Sequence, residues 1–502
     1  MEGHRRHPHK GSHGGSSEGS TGAPRPALRS VAGGEPGEGR GRGETPSGLV
    51  APVRSVAERS AQGQALRKHA PRGNHGAWKK PAHRADPLEI LQGEDAGRMP
   101  ELVPIRYGRM LASPFAFFRG AAGVMAADLA HTPASGVKVQ ACGDCHLLNF
   151  GGFATPERQV IFDINDFDET LPAPWEWDIK RLAASFVLAA RSIGLSDDKA
   201  RDITVGGVRS YRKRLAEYAA MDPLSVWYER ITVDDFVAGM PKSRQDAIRG
   251  AVAQAAKRGG SDVEFPKLTE MVGGRLEIRD SPPLIFHPEI TKSGDFDVVV
   301  AQVLGDYRET LLDDRRALLD RYRHVDAAIK VVGVGSVGRR CWIGLMMSAS
   351  NDPLFLQIKE AAASVLEPYA GKSPYTHHGE RVVMGQRLMQ PASDVFLGWV
   401  TSSTSGRQYY VRQLRDAKVK VVVEVMDGDR LDMYARRCGW ALARAHAKGG
   451  DAAVISGYLG GSGNFDEALG AFAIAYADQT ERDHAVLRAA VRKGDIAVQM
   501  EA

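Results

Sequence analysis

The chain has 502 residues, 66 Lys+Arg against 61 Asp+Glu, 43% hydrophobic and 25% charged residues, 55 Gly, 26 Pro and 4 Cys; this composition excludes collagen-like, coiled-coil and disulfide-scaffold classes. The formal net charge of +5 is small for this length and gives no argument for a nucleic-acid partner. The longest apolar run, LAASFVLAA at 182–190, is too short for a membrane span, and no apolar segment follows the basic N-terminus, so a cytoplasmic protein with reduced thiols and no membrane partner is expected.

Residues 1–60 are rich in Gly, Ser, Pro, Arg and Glu and carry no aromatic residue. They cannot bury enough surface to offset the entropy of ordering, and read as a disordered tail. Its basic residues and His4, His7, His9 and His13 could touch RNA or a metal, but without interleaved aromatics a solubilising extension is the simpler reading. From Trp78 the composition is globular. The remaining roughly 420 residues exceed what one core usually holds, which predicts two lobes.

The densest chemistry lies at 137–185, VKVQACGDCHLLNFGGFATPERQVIFDINDFDETLPAPWEWDIKRLAAS. Val137–Gln140 and Gln159–Ile164 read as short strands, and Ile179, Leu182, Phe186 and Val187 recur at helical spacing after Asp178, whose carboxylate suits a helix N-terminus. Cys142-Gly-Asp-Cys145-His146 matches a haem-attachment pattern, but the chain shows no export signal. Zinc would need a second ligand pair, whereas Cys341 and Cys438 stand alone. Phosphoryl transfer uses more of these residues: one carboxylate to accept the proton of an attacking hydroxyl, and an Asn with a further Asp as hard oxygen ligands for magnesium. Gly143-Asp144-x-His146-x-x-Asn149, followed by an apolar strand ending in Asp163, resembles the catalytic loop of aminoglycoside and choline kinase-like phosphotransferases. That resemblance makes Asp144 the catalytic base and Asn149 and Asp163 the metal ligands, with Asp166 and Asp168 as rivals to Asp163. It also makes Asp178 the carboxylate that braces the loop.

Residues 329–362 contain Gly333-x-Gly335-x-x-Gly338. A Rossmann turn would open a helix, but CWIGLMM alternates like a strand, and SASNDP turns into a third strand, PLFLQIKEA. In that strand Leu354, Leu356 and Ile358 share one face, and Lys359 projects from the other. Strand, glycine loop, strand, turn and strand with a terminal Lys match a kinase nucleotide-binding lobe, in which glycine N–H groups and the Lys hold phosphates. Glu367 and Glu380 are the nearest carboxylates to partner the Lys; Glu380 opens the helical run ERVVMGQRLMQ and is preferred. VFLGWVTS and QYYVRQL read as two more strands, and Arg412–Asp416 as a hinge. The catalytic loop precedes the glycine loop, so a kinase-like reading requires permuted lobes, as is possible where termini lie together at the surface.

RYGRMLASPFAFFRGAA, CGDCHLLNFGGF, FDINDFDETLPAPWEWDIKRLAAS, LFLQIKEA and GERVVMGQRLMQPASDVFLGW resemble the bacterial family called domain of unknown function 2252, which is grouped with the protein-kinase-like superfamily. The resemblance runs from about residue 61 to the C-terminal YADQTERDHAVL. It implies an α+β, two-lobed, kinase-like fold with circularly permuted lobe order: a helical lobe at 61–325, a β-rich nucleotide lobe at 326–415 and C-terminal helices at 416–502 packing on the first. The expected function is ATP- and magnesium-dependent phosphoryl transfer to an unidentified small-molecule or protein hydroxyl. The alternatives are a nucleotide-binding regulator without turnover, and a metal or haem protein using Cys142, Cys145 and His146. Arg119, among Phe115, Phe117 and Phe118, could contact phosphate, but the phenylalanines read as core.

Overall fold

The computed structural model describes residues 54–500 apart from 258–259, 294, 415–418 and 420. The expected tail lies outside the described residues as far as residue 53. The helix Val56–Leu66 then begins inside the span assigned to the tail, closed by a reciprocal capping box between Ser55 and Glu58.

Helix and sheet are both present, an α+β arrangement. α1 (Val103–Leu111) and α2 (Pro114–Gly120) precede two antiparallel pairings. β1 (Lys138–Ala141) pairs with β4 (Leu171–Pro174), and β2 (Phe150–Ala154) with β3 (Val160–Ile164). The segment 142–149 joins β1 to β2, and 165–170 joins β3 to β4. These two loops touch: Asn165 N–H donates to the Asn149 carbonyl at 2.8 Å. Gly143 has a φ of +87°, and a Cβ there would collide with the Glu169 carbonyl, so only glycine allows this approach.

α3 (Trp175–Ser192) follows. Its spacing predicts a single buried face, but every residue from Trp175 to Ala190 is buried, because later helices enclose it. The charged heads find partners inside: Lys180 donates to Thr132 Oγ1 at 2.8 Å and to the Pro133 carbonyl at 3.1 Å. α4 (Asp197–Ala220) is capped by the Ser196 hydroxyl.

The β-rich part is a six-stranded antiparallel sheet of β5 (Ile285–Phe286), β6 (Tyr322–Lys330), β7 (Cys341–Ser348), β8 (Pro353–Glu360), β9 (Gly398–Thr401) and β10 (Gln408–Gln413), in the order β9-β10-β8-β7-β6-β5. The predicted strand, glycine loop, strand, turn and strand are β6 to β8. α5 (Phe296–Glu309) lies on one face, where Val303, Leu304 and Tyr307 pack with Leu356 and Val400. The expected boundary at 325/326 therefore falls inside β6, and β5 and α5 already belong with the sheet. α6 (His378–Met389) is the helix predicted from Glu380.

α7 (Gly428–Gly449) and α8 (Asn464–Lys493) return to enclose α3 and α4 in the largest core cluster. At the end of α7, Gly449 and Gly450 lie against Gln140 and Val139 of β1. No helix among the described residues is long and apolar enough to cross a membrane. α4 and α7 approach through Gly207 and Gly439, where a Cβ on Gly439 would meet the Gly207 carbonyl. Gly439→Ala should accordingly lower unfolding stability by about 2 kcal/mol, the usual scale of overpacking, read by urea denaturation; an unchanged midpoint would contradict this packing.

Candidate functional site

Asp178 fixes the start of the 142–149 loop. From the first turn of α3 its carboxylate accepts the backbone N–H groups of Cys142 at 2.7 Å and Gly143 at 3.0 Å, and His446 Nε2 lies 3.2 Å from it. The backbone of the loop is thereby tied to a buried helix. Asp144, next in sequence, is held through Oδ1 by Arg181 Nε at 2.6 Å, leaving Oδ2 with His146 Nε2 as a distant neighbour at 3.9 Å. Burial raises the Asp144 pKa, with Arg181 and Arg119 opposing it. Asn149 donates its amide to the Asp144 carbonyl at 2.7 Å, which anchors its nitrogen and turns its oxygen away from that bond.

Asp163 does not join these groups. It is fully buried on β3, with Arg444 Nη2 2.6 Å from Oδ2 and the Ile164 N–H on Oδ1. The expected metal ligand is thus a structural counter-ion for α7. The chain leaves the strand after Ile164, and Asp166 and Asp168 enter the cleft beside Asp144 and Asn149. Burial raises the Asp166 pKa, and the neighbouring Asp168 raises it further.

Lys359, at the end of β8, forms an ion pair with Asp168. Glu380, its expected partner, lies half-buried in the first turn of α6, where His377 Nδ1 accepts its N–H at 3.1 Å. Asp168 also accepts from Tyr410 Oη at 2.7 Å and Ser336 Oγ at 3.2 Å. Although burial works in the opposite direction, Lys359, Tyr410 and Arg412 hold the Asp168 carboxyl down at about 2. α6 contributes Arg381 instead of Glu380: this buried guanidinium binds the carbonyls of Thr170 at 2.6 Å, Asp168 at 2.8 Å and Ala362 at 2.9 Å.

Gly333 and Gly338 adopt φ of +67° and +86° in the β6–β7 loop, which favours glycine at both positions. Carbonyls of this loop are taken up by the segment around residues 98–109. Arg109 binds that of Gly333, Arg98 those of Gly335 at 2.8 Å and Val337 at 2.5 Å, and Met99 N–H that of Gly338 at 2.7 Å. The sequence reading missed Arg98, Arg109 and Arg381 because each acts across more than a hundred residues or through backbone alone. Arg119 also faces the cleft, and its Nε is buried without a hydrogen-bond partner.

Two contiguous cavities result. One, of about 110 Å³, lies among Asp144, Asn149, Asp166, Lys359 and Gly333. The other, of about 300 Å³, shares Asn149, Asp166 and Lys359 and extends between Leu148, Val332 and Leu414. The expected hinge continues past Leu414 into residues outside the described set. Cys142 and Cys145 are fully buried free thiols; the neighbouring Cys145 thiol and then burial raise the pKa of Cys142, and burial raises that of Cys145. They lie with Asp178 within 4.8 Å of one another, but the Asp178 oxygens already bind backbone N–H groups and His446.

Residues 98–490 match a family model described as an uncharacterised protein conserved in bacteria (DUF2252). No curated protein and no solved structure matches the chain. The geometry gives Asp163 and Asp166 different fates on substitution. Asp163→Ala should strand the buried Arg444 charge and cost about 3–5 kcal/mol of stability, whereas Asp166→Ala should cost less than half as much; equal losses in urea denaturation would contradict the assignment.

Proposed function

The chain belongs to the DUF2252 family, and on that premise we propose that it is a cytoplasmic, ATP-dependent phosphotransferase acting on a hydroxyl, with two kinase-like lobes in permuted order. The observation that carries this reading is the convergence of Asp144, Asn149, Asp166 and Lys359 with the glycine loop on one cleft. The order of parts supports permutation. The end of α7 abuts β1, so in an unpermuted chain that helix would run directly into the strand leading to Asp144.

The apolar walls at Leu148, Val332 and Leu414 suit the faces of a nucleobase. Phosphates would lie under the glycine loop, whose carbonyls are engaged elsewhere, leaving N–H groups for anionic oxygens. Lys359 would exchange Asp168 for phosphate oxygens, and Arg119 would add a second cation. Asn149 and Asp166 offer hard oxygen donors, and Asp166 is a half-buried carboxylate beside another, so the donor set fits magnesium. When bound, magnesium neutralises phosphate charge. Asp144, oriented through Oδ1 by Arg181, accepts the proton of the acceptor hydroxyl at Oδ2. The acceptor oxygen bonds to the γ-phosphorus as the bond to the β–γ bridging oxygen breaks, and ADP leaves with that electron pair.

The tight Asp144–Arg181 pair is also compatible with a regulator that binds nucleotide without turnover, and one experiment separates the two. Mg-ATP should raise the thermal midpoint of the wild type by about 4 °C or more at saturation, and Lys359→Ala should abolish the rise. Asp144→Asn should keep the rise while slowing ATP hydrolysis by about 100-fold. Hydrolysis indifferent to Asp144→Asn would favour the regulator, and no stabilisation of the wild type would overturn both.

A further inference from the structure

On the sheet face opposite Lys359, β7 and β6 place Gly344 directly across from Ala327. Two near-absent side chains in register leave a furrow in the middle of the sheet. α5 roofs this furrow with Phe296, Val299 and Val303 without filling it, and Trp342, whose ring lies 6.1 Å from that of Phe296, forms one wall. The result is an apolar cavity of about 280 Å³, near the lower bound of ligand pockets, roughly 300–1,000 Å³. From Arg340 to Met346 it follows the strand for about 20 Å, a length suited to an extended acyl chain.

One end is charged. Arg340 and Arg407 both line the cavity there and share Glu360, through Nη1 of Arg340 at 3.4 Å and Nη1 of Arg407 at 2.7 Å. Each guanidinium has five N–H donors, so more remain than Glu360 occupies. Two cations and one carboxylate leave a single positive charge at the mouth of an apolar tunnel, which matches a monoanion with a long hydrocarbon tail.

We infer that this cavity is a binding site for a free long-chain fatty acid, its carboxylate on Arg340 and Arg407 and its chain in the Gly344–Ala327 furrow. The furrow lies on the sheet face opposite Lys359, with Glu360 bordering both it and the cleft, and it stands independently of the proposed transferase activity. A Cβ at Gly344 would meet only Ile358 Cδ1, at 3.5 Å, so Gly344→Leu enters the furrow without striking backbone.

The test titrates the full chain with the fluorescent fatty acid cis-parinaric acid and competes it with palmitate. Saturable one-to-one binding is expected, weakened about tenfold by Gly344→Leu, since about two methylenes of contact are worth that factor, with an undiminished unfolding midpoint. Arg340→Gln with Arg407→Gln should weaken palmitate about tenfold, the value of one charge-assisted hydrogen bond, and leave hexadecanol within about twofold. Should Gly344→Leu fail to fold, brominated palmitate must quench wild-type fluorescence more than that of Trp342→Phe. No saturable binding, binding unaffected by either set of folded variants, hexadecanol binding as tightly as palmitate, or association only with phospholipid vesicles would overturn the assignment.

Discussion

The Lys359–Asp168 ion pair is the contact on which the cleft depends. It ties the end of the last strand of the three-stranded meander, β6 to β8, to the loop between β3 and β4, two residues separated by 191 positions. Both groups are largely withdrawn from solvent, with side-chain exposures of 4% and 24%, and removing one partner from such a pair typically costs about 3–5 kcal/mol. Tyr410, Ser336 and Arg381 attach to the same Asp168, through its carboxylate or its carbonyl. A single residue thus gathers β10 and the glycine loop through its carboxylate and α6 through its carbonyl. Only a group with comparable negative charge can take Lys359 from it without leaving a buried ammonium uncompensated, a requirement that the proposed polyphosphate ligand meets and a neutral one does not.

A second constraint comes from the helices that precede β1. A glycine loop presents N–H groups to a ligand only when its carbonyls are satisfied elsewhere. Here Arg98, Arg109 and Met99 supply those partners, and Gly338 lies against the Arg98 side chain. The segment around residues 98–119 therefore belongs to the cleft as fully as the loop itself, and Arg119 extends it toward Asp144. The matched family region starts at Arg98, the first residue of this clamp.

Legibility followed the range of the interactions. The meander and the position of Lys359 were readable because alternation with period two is a local property of the chain, whereas the Asp178 brace, which acts across 35 positions, came from the resemblance and only its place at a helix start from the sequence pattern. Asp163 was expected among the metal ligands from the resemblance; alternation places it on the strand without saying which side of β3 faces the cleft, and Arg444 from α7, 281 positions away, pairs with it. Asp166 escapes the rule because β3 ends at Ile164. Glu380 carried the right residue type at the right helix, but Asp168 reaches Lys359 first, and Arg381 beside it turns inward to the loop carbonyls. Cys142 and Cys145 match a haem-attachment pattern in sequence and are fully buried in the structure. Their pattern carries no information on burial, which α3 and α7 decide together.

The most direct test of the account is a crystal structure with magnesium and a non-hydrolysable ATP analogue. The triphosphate should lie between the 333–338 loop and Lys359, with Lys359 Nζ moved from Asp168 to phosphate oxygens and the metal on Asn149 and Asp166. A nucleotide bound elsewhere, or bound in the cleft with the Lys359–Asp168 pair intact, would contradict it.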